Sequence, residues 1–174
     1  MALYLIELTP ATASKDEATA LIETVSNSLS EGAELIETQV SADHKLIFAI
    51  IESANTAFAP ALTEAIGERA SVVGPDEVRL VGAELDDIKK LKKDADYLVE
   101  WDIPAEITME QYLTRKKANA PKYAEVPEVS FLRTYVREDT AKCLCFYDAP
   151  DEDAVLRARK AVSTPIDRLF KLHA

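Results

Sequence analysis

The 174-residue sequence contains few of the residues that build common cofactor sites: four glycines, two cysteines and two histidines. The glycines stand far apart, at positions 32, 67, 74 and 82, which excludes a dinucleotide fingerprint or a phosphate-binding loop. His44 and His173 are also distant from each other, and no HExxH or CxxC pattern is present. These absences argue against the usual nucleotide-dependent and zinc-dependent activities.

Long apolar runs and excess positive charge are absent too. The longest aliphatic-aromatic run, residues 46–51, is far shorter than the roughly 20 residues that span a bilayer. The formal net charge of -11 argues against general binding to nucleic acids or to anionic membranes. We therefore expect neither nucleic acid nor membrane as a partner.

The two cysteines, Cys143 and Cys145, are separated by one residue. On a strand they would share one face about 6.6 Å apart along the chain, which is a poor geometry for a disulfide. Free thiols of this kind are typical of a reducing compartment, and we expect a cytoplasmic protein.

What the sequence does contain is an internal repeat. Residues 4–10 resemble residues 97–104, and residues 37–40 resemble residues 133–136. Each copy has the pattern strand, helix, strand, strand, helix, strand, which is the ferredoxin-like order. The sequence therefore predicts an α+β fold with two tandem ferredoxin-like repeats.

We place the first repeat at residues 1–83, a charged linker at 84–95 and the second repeat at 96–174. Nine of the thirteen residues from 84 to 96 are charged, which indicates a solvated connecting helix or linker. In the second copy the strand face away from the helices is too apolar for full exposure. We therefore expect the two half-sheets to pack against each other as a pseudo-dimeric α/β barrel or sandwich.

Candidate site residues follow from the alternation of side chains along the strands of the second repeat. We expect the six candidate side chains to share the face that meets the other repeat: Glu100, Arg133, Tyr135, Cys143, Cys145 and Tyr147. On that face we expect the two cysteines to lie between Glu100 and Arg133. They could form a structural Glu–Arg pair with satisfied tyrosine hydroxyls. Alternatively, they could line a ligand-binding cavity in which a carboxylate of raised pKa serves as a base or an anchor.

Residues 135–155, which include the segments YVRED and CFYDAPDEDAV, resemble a bacterial domain-of-unknown-function family typified by an actinobacterial nickel-binding protein. The resemblance covers about residues 96–172, and the first copy resembles the family only weakly. It implies small ferredoxin-like proteins that associate as dimers, some of which bind nickel through histidines. The family commonly has a His shortly after the Ala-Val pair, whereas this chain has Ala158 there. Nickel is thus a cofactor implied by resemblance, but we assign no metal ligands and expect weak or no nickel binding.

Three classes of function stay open at this point. The first is a binding protein that holds a small ligand, or a metal, between its half-sheets. The second is an enzyme similar to the dimeric α/β-barrel monooxygenases, which we favour less because no histidine falls on a predicted inner face. The third is a protein-interaction module. A monomer with pseudo-dimeric repeats and a homodimer both fit the pattern.

Overall fold

The computed structural model describes residues 1–91 and 94–172, which form two compact units. The first unit comprises Met1–Val78 and a short helix after them. The second comprises Arg79–Glu84 and residues 94–172. No helix in the described ranges is both long enough and apolar enough to cross a membrane.

The first unit follows the βαββαβ order. Its elements are β1 Ala2–Pro10, α1 Lys15–Ser28, β2 Ala33–Val40, β3 Ile47–Ser53, α2 Ala59–Ile66 and β4 Ala70–Val81. The last three residues of β4 belong to the second unit. The first unit also contains the short helix α3 Leu85–Lys89. Ser14 caps α1 because its hydroxyl accepts a hydrogen bond from the Glu17 backbone N–H at 3.1 Å. The sequence predicts Gly67 as the end of α2, and it does stand there, with a φ of 57°.

The strands of the first unit form an antiparallel sheet in the order β2-β3-β1-β4. Side chains of β1 and β3 pack with α1 and α2 in one apolar core. The sequence pattern predicts a closing strand only at residues 78–81, and β4 is much longer. Gly74 and Pro75 interrupt its sequence pattern, and a register shift between Leu5 and Glu7 on β1 accommodates them.

The second unit repeats the same order. Its elements are β5 Tyr97–Asp102, α4 Met109–Asn119, β6 Ser130–Arg137, β7 Lys142–Asp148, α5 Glu152–Ala161 and β8 Arg168–Lys171, with a 3₁₀ helix at Ala120–Glu125 after α4. Thr108 and Gln111 form a complete capping box at the start of α4, with bonds of 2.9 and 3.2 Å. The sequence predicts this capping box, since Thr108 is followed three residues later by Gln111 before the apolar positions of a helix.

Within the second unit the strands are antiparallel and follow the order β6-β7-β5-β8, and we call these four strands the second sheet. This order corresponds strand for strand to that of the first unit. Its core lies between one face of the sheet and the helices α4 and α5. The predicted fold class, α+β with tandem ferredoxin-like repeats, is confirmed.

Candidate functional site

The strand register divides the six predicted site residues between the two faces of the second sheet. Residues directly opposite each other in an antiparallel pair share a face. Cys143, Cys145 and Tyr147 lie opposite residues of β5 that pack against the helices, and all three belong to that core. Glu100 lies opposite Leu144, on the other face. The prediction that all six side chains share one face is therefore wrong.

A β-bulge on β6 separates Arg133 and Tyr135 from the cysteines, whereas the regular pairing of β5 with β7 is enough to separate Glu100 from them. Phe131 lies opposite Tyr147, but the next aligned pair is Arg133 with Phe146, so the register shifts by one residue. Without the bulge, Arg133 and Tyr135 would lie opposite the two cysteines. With it, they point away from the helices.

Glu100 also has a different partner from the one expected. It is buried, with 3% of its surface exposed, and its carboxylate accepts a hydrogen bond from the guanidinium of Arg168 on β8. Lys142 Nζ lies 3.7 Å from the same oxygen. The guanidinium of Arg133 instead lies 5.0 Å from the ring centroid of Phe146. As predicted, β7 lies between β5 and β6, but Leu144 and Phe146, rather than the cysteines, occupy that strand on this face.

A pocket lies on the opposite, helix-covered face, within the second unit. It contains about 440 Å³ of space free of protein atoms, including solvent at its mouth. Its lining comes from β5, α4, the 3₁₀ helix, β6, β7, α5 and the segment after α5: Trp101, Tyr112, Arg115, Lys116, Asn119, Ala120, Tyr123, Phe131, Cys143, Cys145, Arg159, Val162 and Thr164. The lining is mostly aromatic and aliphatic, with a few convergent polar groups, as is usual for small-molecule sites.

The two thiols lie side by side on the strand wall of this pocket. Cys143 and Cys145 are each 1% exposed, and their sulfur atoms are 3.9 Å apart. The Thr134 hydroxyl donates to the sulfur of Cys145 at 3.2 Å. A hydrogen bond from the Cys143 thiol lowers the pKa of Cys145 well below its usual value, and the charges of Lys116 and Arg159 lower it further against the effect of burial. The same thiol–thiol bond, together with burial, raises the pKa of Cys143.

Arg159 brings a buried positive charge to the pocket from α5. Its residue is only 2% exposed. Nη1 lies 3.5 Å from the sulfur of Cys145 and donates to the Tyr147 hydroxyl at 3.1 Å, while Nη2 donates to the carbonyl of Pro165 at 2.6 Å. Among the described residues, its Nε has no hydrogen-bond partner.

Two tyrosines extend this polar network. The hydroxyls of Tyr123 and Tyr147 are 2.6 Å apart. Burial raises the pKa of Tyr123 to about 12 and raises that of Tyr147 as well. Both phenols therefore stay protonated at neutral pH and serve as neutral hydrogen-bonding groups.

The mouth of the pocket carries two further positive charges on half-buried side chains of α4. The Arg115 guanidinium lies 5.4 Å from the ring centroid of Trp101 and donates to the carbonyl of Ser163. Lys116 Nζ lies 4.3 Å from the ring centroid of Phe131. These cation–π contacts hold both charges beside the aromatic wall.

The corresponding strand positions of the first repeat are apolar. Cys143 lies opposite Trp101 and corresponds to Ile47, which lies opposite Leu8. By the same register, Cys145 corresponds to Ala49. Both residues of the first repeat are buried in its core.

The helix positions show the same contrast when they are counted from the N-caps. Arg159 is the eighth residue after Asp151, and Ile66 is the eighth after Phe58. Ile66 is completely buried. The pocket positions of α4 correspond to apolar residues of α1 in the same way: Leu21, Ile22 and Val25 for Arg115, Lys116 and Asn119. Polar groups in the second repeat thus replace an apolar core of the first.

Sequence reasoning missed the helix side of this pocket, including Arg159, Tyr112 and Lys116. One signal was available, since Arg159 stands four residues after Val155, on the buried stripe of α5. An alignment of the two repeats on their helix N-caps would have shown that Arg159 corresponds to the apolar Ile66.

A histidine-based nickel site does not fit the donor groups of the described residues. His44 lies in the turn between β2 and β3, and His173 lies outside the described residues. Ala158, at the position where a family histidine was expected, is fully buried against the core of the second unit. Within residues 1–91 and 94–172, no three His, Cys, Asp or Glu side chains are grouped closely enough to hold a metal ion.

Two solved structures share the fold. One is described as a candidate chlorite dismutase, with 15% sequence identity, a TM-score of 0.58, and coverage of 100% of this chain and 96% of the other. The second is described as a candidate monooxygenase from Fusobacterium nucleatum, with 12% identity, a TM-score of 0.55, and coverage of 98% and 90%. At these identities the likeness concerns the fold alone.

The sequence comparisons find a match for the second repeat, which contains the pocket. No curated protein matches the chain significantly. Residues 97–172 match the family model described as nickel responsive protein SCO4226-like, which covers less than half of the chain. The predicted resemblance is confirmed: the second repeat is similar to the SCO4226-like nickel-responsive proteins over residues 97–172.

Proposed function

We propose that the protein is a binding protein and that its second repeat holds a small organic anion with an apolar body in the pocket between its sheet and helices. The observation that carries this proposal is Arg159. A buried guanidinium is costly unless it is well paired. Here it contributes to the wall of a pocket whose lining residues include no carboxylate, at a position where the first repeat has Ile66.

The electrostatics of the pocket support an anionic ligand. The chain as a whole has a formal charge of -11, yet three cations, Arg115, Lys116 and Arg159, line this one cavity. Positive groups gathered in a low-dielectric cleft attract anions more strongly than the same groups would in water. Guanidinium groups in particular match the geometry of a carboxylate or a phosphate.

The walls of the pocket support an apolar body on that anion. The walls are aromatic: Trp101, Tyr112, Tyr123 and Phe131. A ligand binding through Glu100, Arg133 and Tyr135 on the opposite face stays a prediction, as does a cytoplasmic location.

Trp101 provides a direct test because it is the only tryptophan of the chain and lines the pocket. The probe is 4-bromobenzoate, whose bromine quenches tryptophan fluorescence on contact, and the neutral comparison is 4-bromobenzamide. We expect saturable quenching by the benzoate and binding at least about tenfold weaker for the amide, because a hydrogen bond to a charged group contributes about 1.5–3 kcal/mol.

Two arginines of α5 provide matched variants for the same titration. Arg159→Met should weaken benzoate binding about tenfold or more. Arg157→Met removes the same charge from the exposed face of α5, where Arg157 pairs with Glu128, and should leave the affinity unchanged. Unsaturable quenching by both probes, or equal affinities of the two variants, would show that the pocket does not recognise anions.

A further inference from the structure

The thiols of Cys143 and Cys145 are polar groups of the pocket that the binding of an organic anion does not require. Both side chains line the cavity, and their sulfur atoms are 3.9 Å apart. The first repeat has Ile47 and Ala49 at these positions, so the fold itself does not require sulfur there. Two thiols held side by side in a pocket wall are a pair of soft metal ligands.

The distance between the sulfurs fits one metal ion bound by both. With metal–sulfur bonds of about 2.3 Å, a 3.9 Å separation gives a sulfur–metal–sulfur angle of about 116°. That angle lies between tetrahedral and trigonal values. A square-planar ion such as Ni²⁺ holds adjacent ligands near 90°, which at the same bond length would need the sulfurs only about 3.3 Å apart.

The charge balance around the pair favours a monovalent ion. Two thiolates and one monovalent cation carry a net charge of -1, and the Arg159 guanidinium lies 3.5 Å from the sulfur of Cys145. The group is then neutral, as a buried cluster should be. A divalent ion would leave a net charge of +1 buried in the pocket, with no carboxylate among the lining residues.

The number of donors points the same way. In the described part of the chain, no third His, Cys, Asp or Glu completes a metal-binding group around these sulfurs. Zinc is almost always four-coordinate in structural sites and keeps at least three protein ligands in catalytic ones. An angle of about 116° suits a three-coordinate soft monovalent ion, which takes two thiolates and leaves its third position to a neutral small ligand such as water.

We propose that Cys143 and Cys145 form a two-thiolate binding site for a soft monovalent metal ion of the Cu⁺ type, with Arg159 balancing the charge of the complex. Each thiol that is still protonated releases its proton to solvent when the metal–sulfur bond forms. The metal stays in one oxidation state throughout, so no electron acceptor is needed.

The test uses the full-length, tag-free protein, titrated anaerobically with Cu⁺ in competition with a chromogenic Cu⁺ chelator. We expect one Cu⁺ per chain by native mass spectrometry and a thiolate-to-copper absorption band in the ultraviolet. Zn²⁺ and Ni²⁺, added in excess, should not displace it. X-ray absorption of the wild-type complex should show sulfur neighbours without a histidine signature, a measurement that needs no variant.

Variants then locate the site. Cys143→Ser and Cys145→Ala should each lower Cu⁺ affinity by at least about a hundredfold. The Ala variant reproduces Ala49 of the first repeat, so it is compatible with this fold. Arg159→Met should weaken Cu⁺ binding about tenfold, whereas the exposed Arg157→Met should not change it.

Several results would overturn the proposal: no bound copper, Cu⁺ binding that persists in folded Cys variants, nitrogen neighbours in the absorption spectrum, or displacement by Zn²⁺ or Ni²⁺. The proposal shares Arg159 with the proposed organic-anion site but does not rest on it. Bromobenzoate binding by the copper-free wild-type protein separates the two, because it tests the anion site while no metal is bound to the thiols.

Discussion

At the level of single residues, Arg159 shows how a charge can be carried inside an apolar core. Its side chain replaces the buried isoleucine of the other repeat and satisfies its donors on a thiol, a phenol and the Pro165 carbonyl. A buried cation is tolerated when its hydrogen bonds replace those it would make with water. The Nε–H of Arg159 has no hydrogen-bond partner among the described residues, so it can donate to a ligand.

The tyrosines beside Arg159 make the stability of the protein sensitive to alkaline pH. Tyr123 ionises near pH 10 in an unfolded chain, whereas burial raises its pKa in the folded protein to about 12. A raised pKa contributes stability that is complete below pH 10 and is lost as the pH rises towards 12. We expect the free energy of unfolding to fall across this range, by about 1.4 kcal/mol for each unit of pKa difference.

Urea unfolding of the wild-type protein and of Tyr123→Phe at a series of pH values measures this contribution. The variant should be about 1 kcal/mol less stable at pH 8, because its bond to Tyr147 is lost, but should lose less stability between pH 10 and 12. Parallel stability curves for the two proteins would contradict the assignment.

At the level of elements, the bulge on β6 determines which side chains reach the pocket. It places Phe131 on the helix side and Arg133, two residues later, on the opposite face. Phe131 then stacks on Tyr123, with ring centroids 5.4 Å apart and planes inclined by 5°. Both rings line the pocket.

Gly82, just after β4, fits closely against this aromatic wall. A Cβ atom there would lie 2.8 Å from Cε1 of Phe131, and the φ of +87° is one that other residues rarely adopt. Gly82→Ala should lower the free energy of unfolding by about 2–4 kcal/mol, combining backbone strain with displacement of the ring. It should also weaken bromobenzoate binding, because Phe131 must move.

Gly32 provides the matched control for this substitution. Its φ of +93° is similar, but a Cβ atom there would meet nothing within 4 Å. Gly32→Ala should therefore cost only the backbone strain, about 1–2 kcal/mol in chemical unfolding, and should not affect the pocket. Equal losses of stability in the two variants would mean that displacing the Phe131 ring costs no free energy.

At the level of the whole molecule, two repeats of one topology have different interiors. The sheet orders β2-β3-β1-β4 and β6-β7-β5-β8 correspond strand for strand. The helix-covered core of the first repeat is aliphatic apart from Tyr4 and Phe58, whereas that of the second also contains two thiols, several phenols and a guanidinium. Only the second carries the family match.

This difference predicts an asymmetric response to ligand in hydrogen exchange. Saturating 4-bromobenzoate should slow exchange of backbone amides in α4, β7 and α5, because binding stabilises the elements that line the pocket. Amides of α1, β3 and α2, which correspond to them in the first repeat, should exchange at unchanged rates. Equal protection of both sets would argue against a site confined to the second repeat.

Much of the fold followed from the sequence alone because its signals are local. The capping box at Thr108 and Gln111, the helix end at Gly67 and the repeated βαββαβ pattern all depend on residues close together in the chain. The two cysteines are unpaired, as predicted, because alternate residues on one strand face are poorly placed to form a disulfide.

The site was decided by tertiary structure, because it depends on register and on contacts distant in sequence. A one-residue bulge turned Arg133 and Tyr135 away from the cysteines, and no local sequence pattern marks it. Arg168, which pairs with Glu100, stands 68 positions later in the chain. Arg159 contacts Cys145 only because α5 packs on β7. The sequence alone therefore determined that two thiols share one strand face, and tertiary packing determined that a positive charge lies beside them.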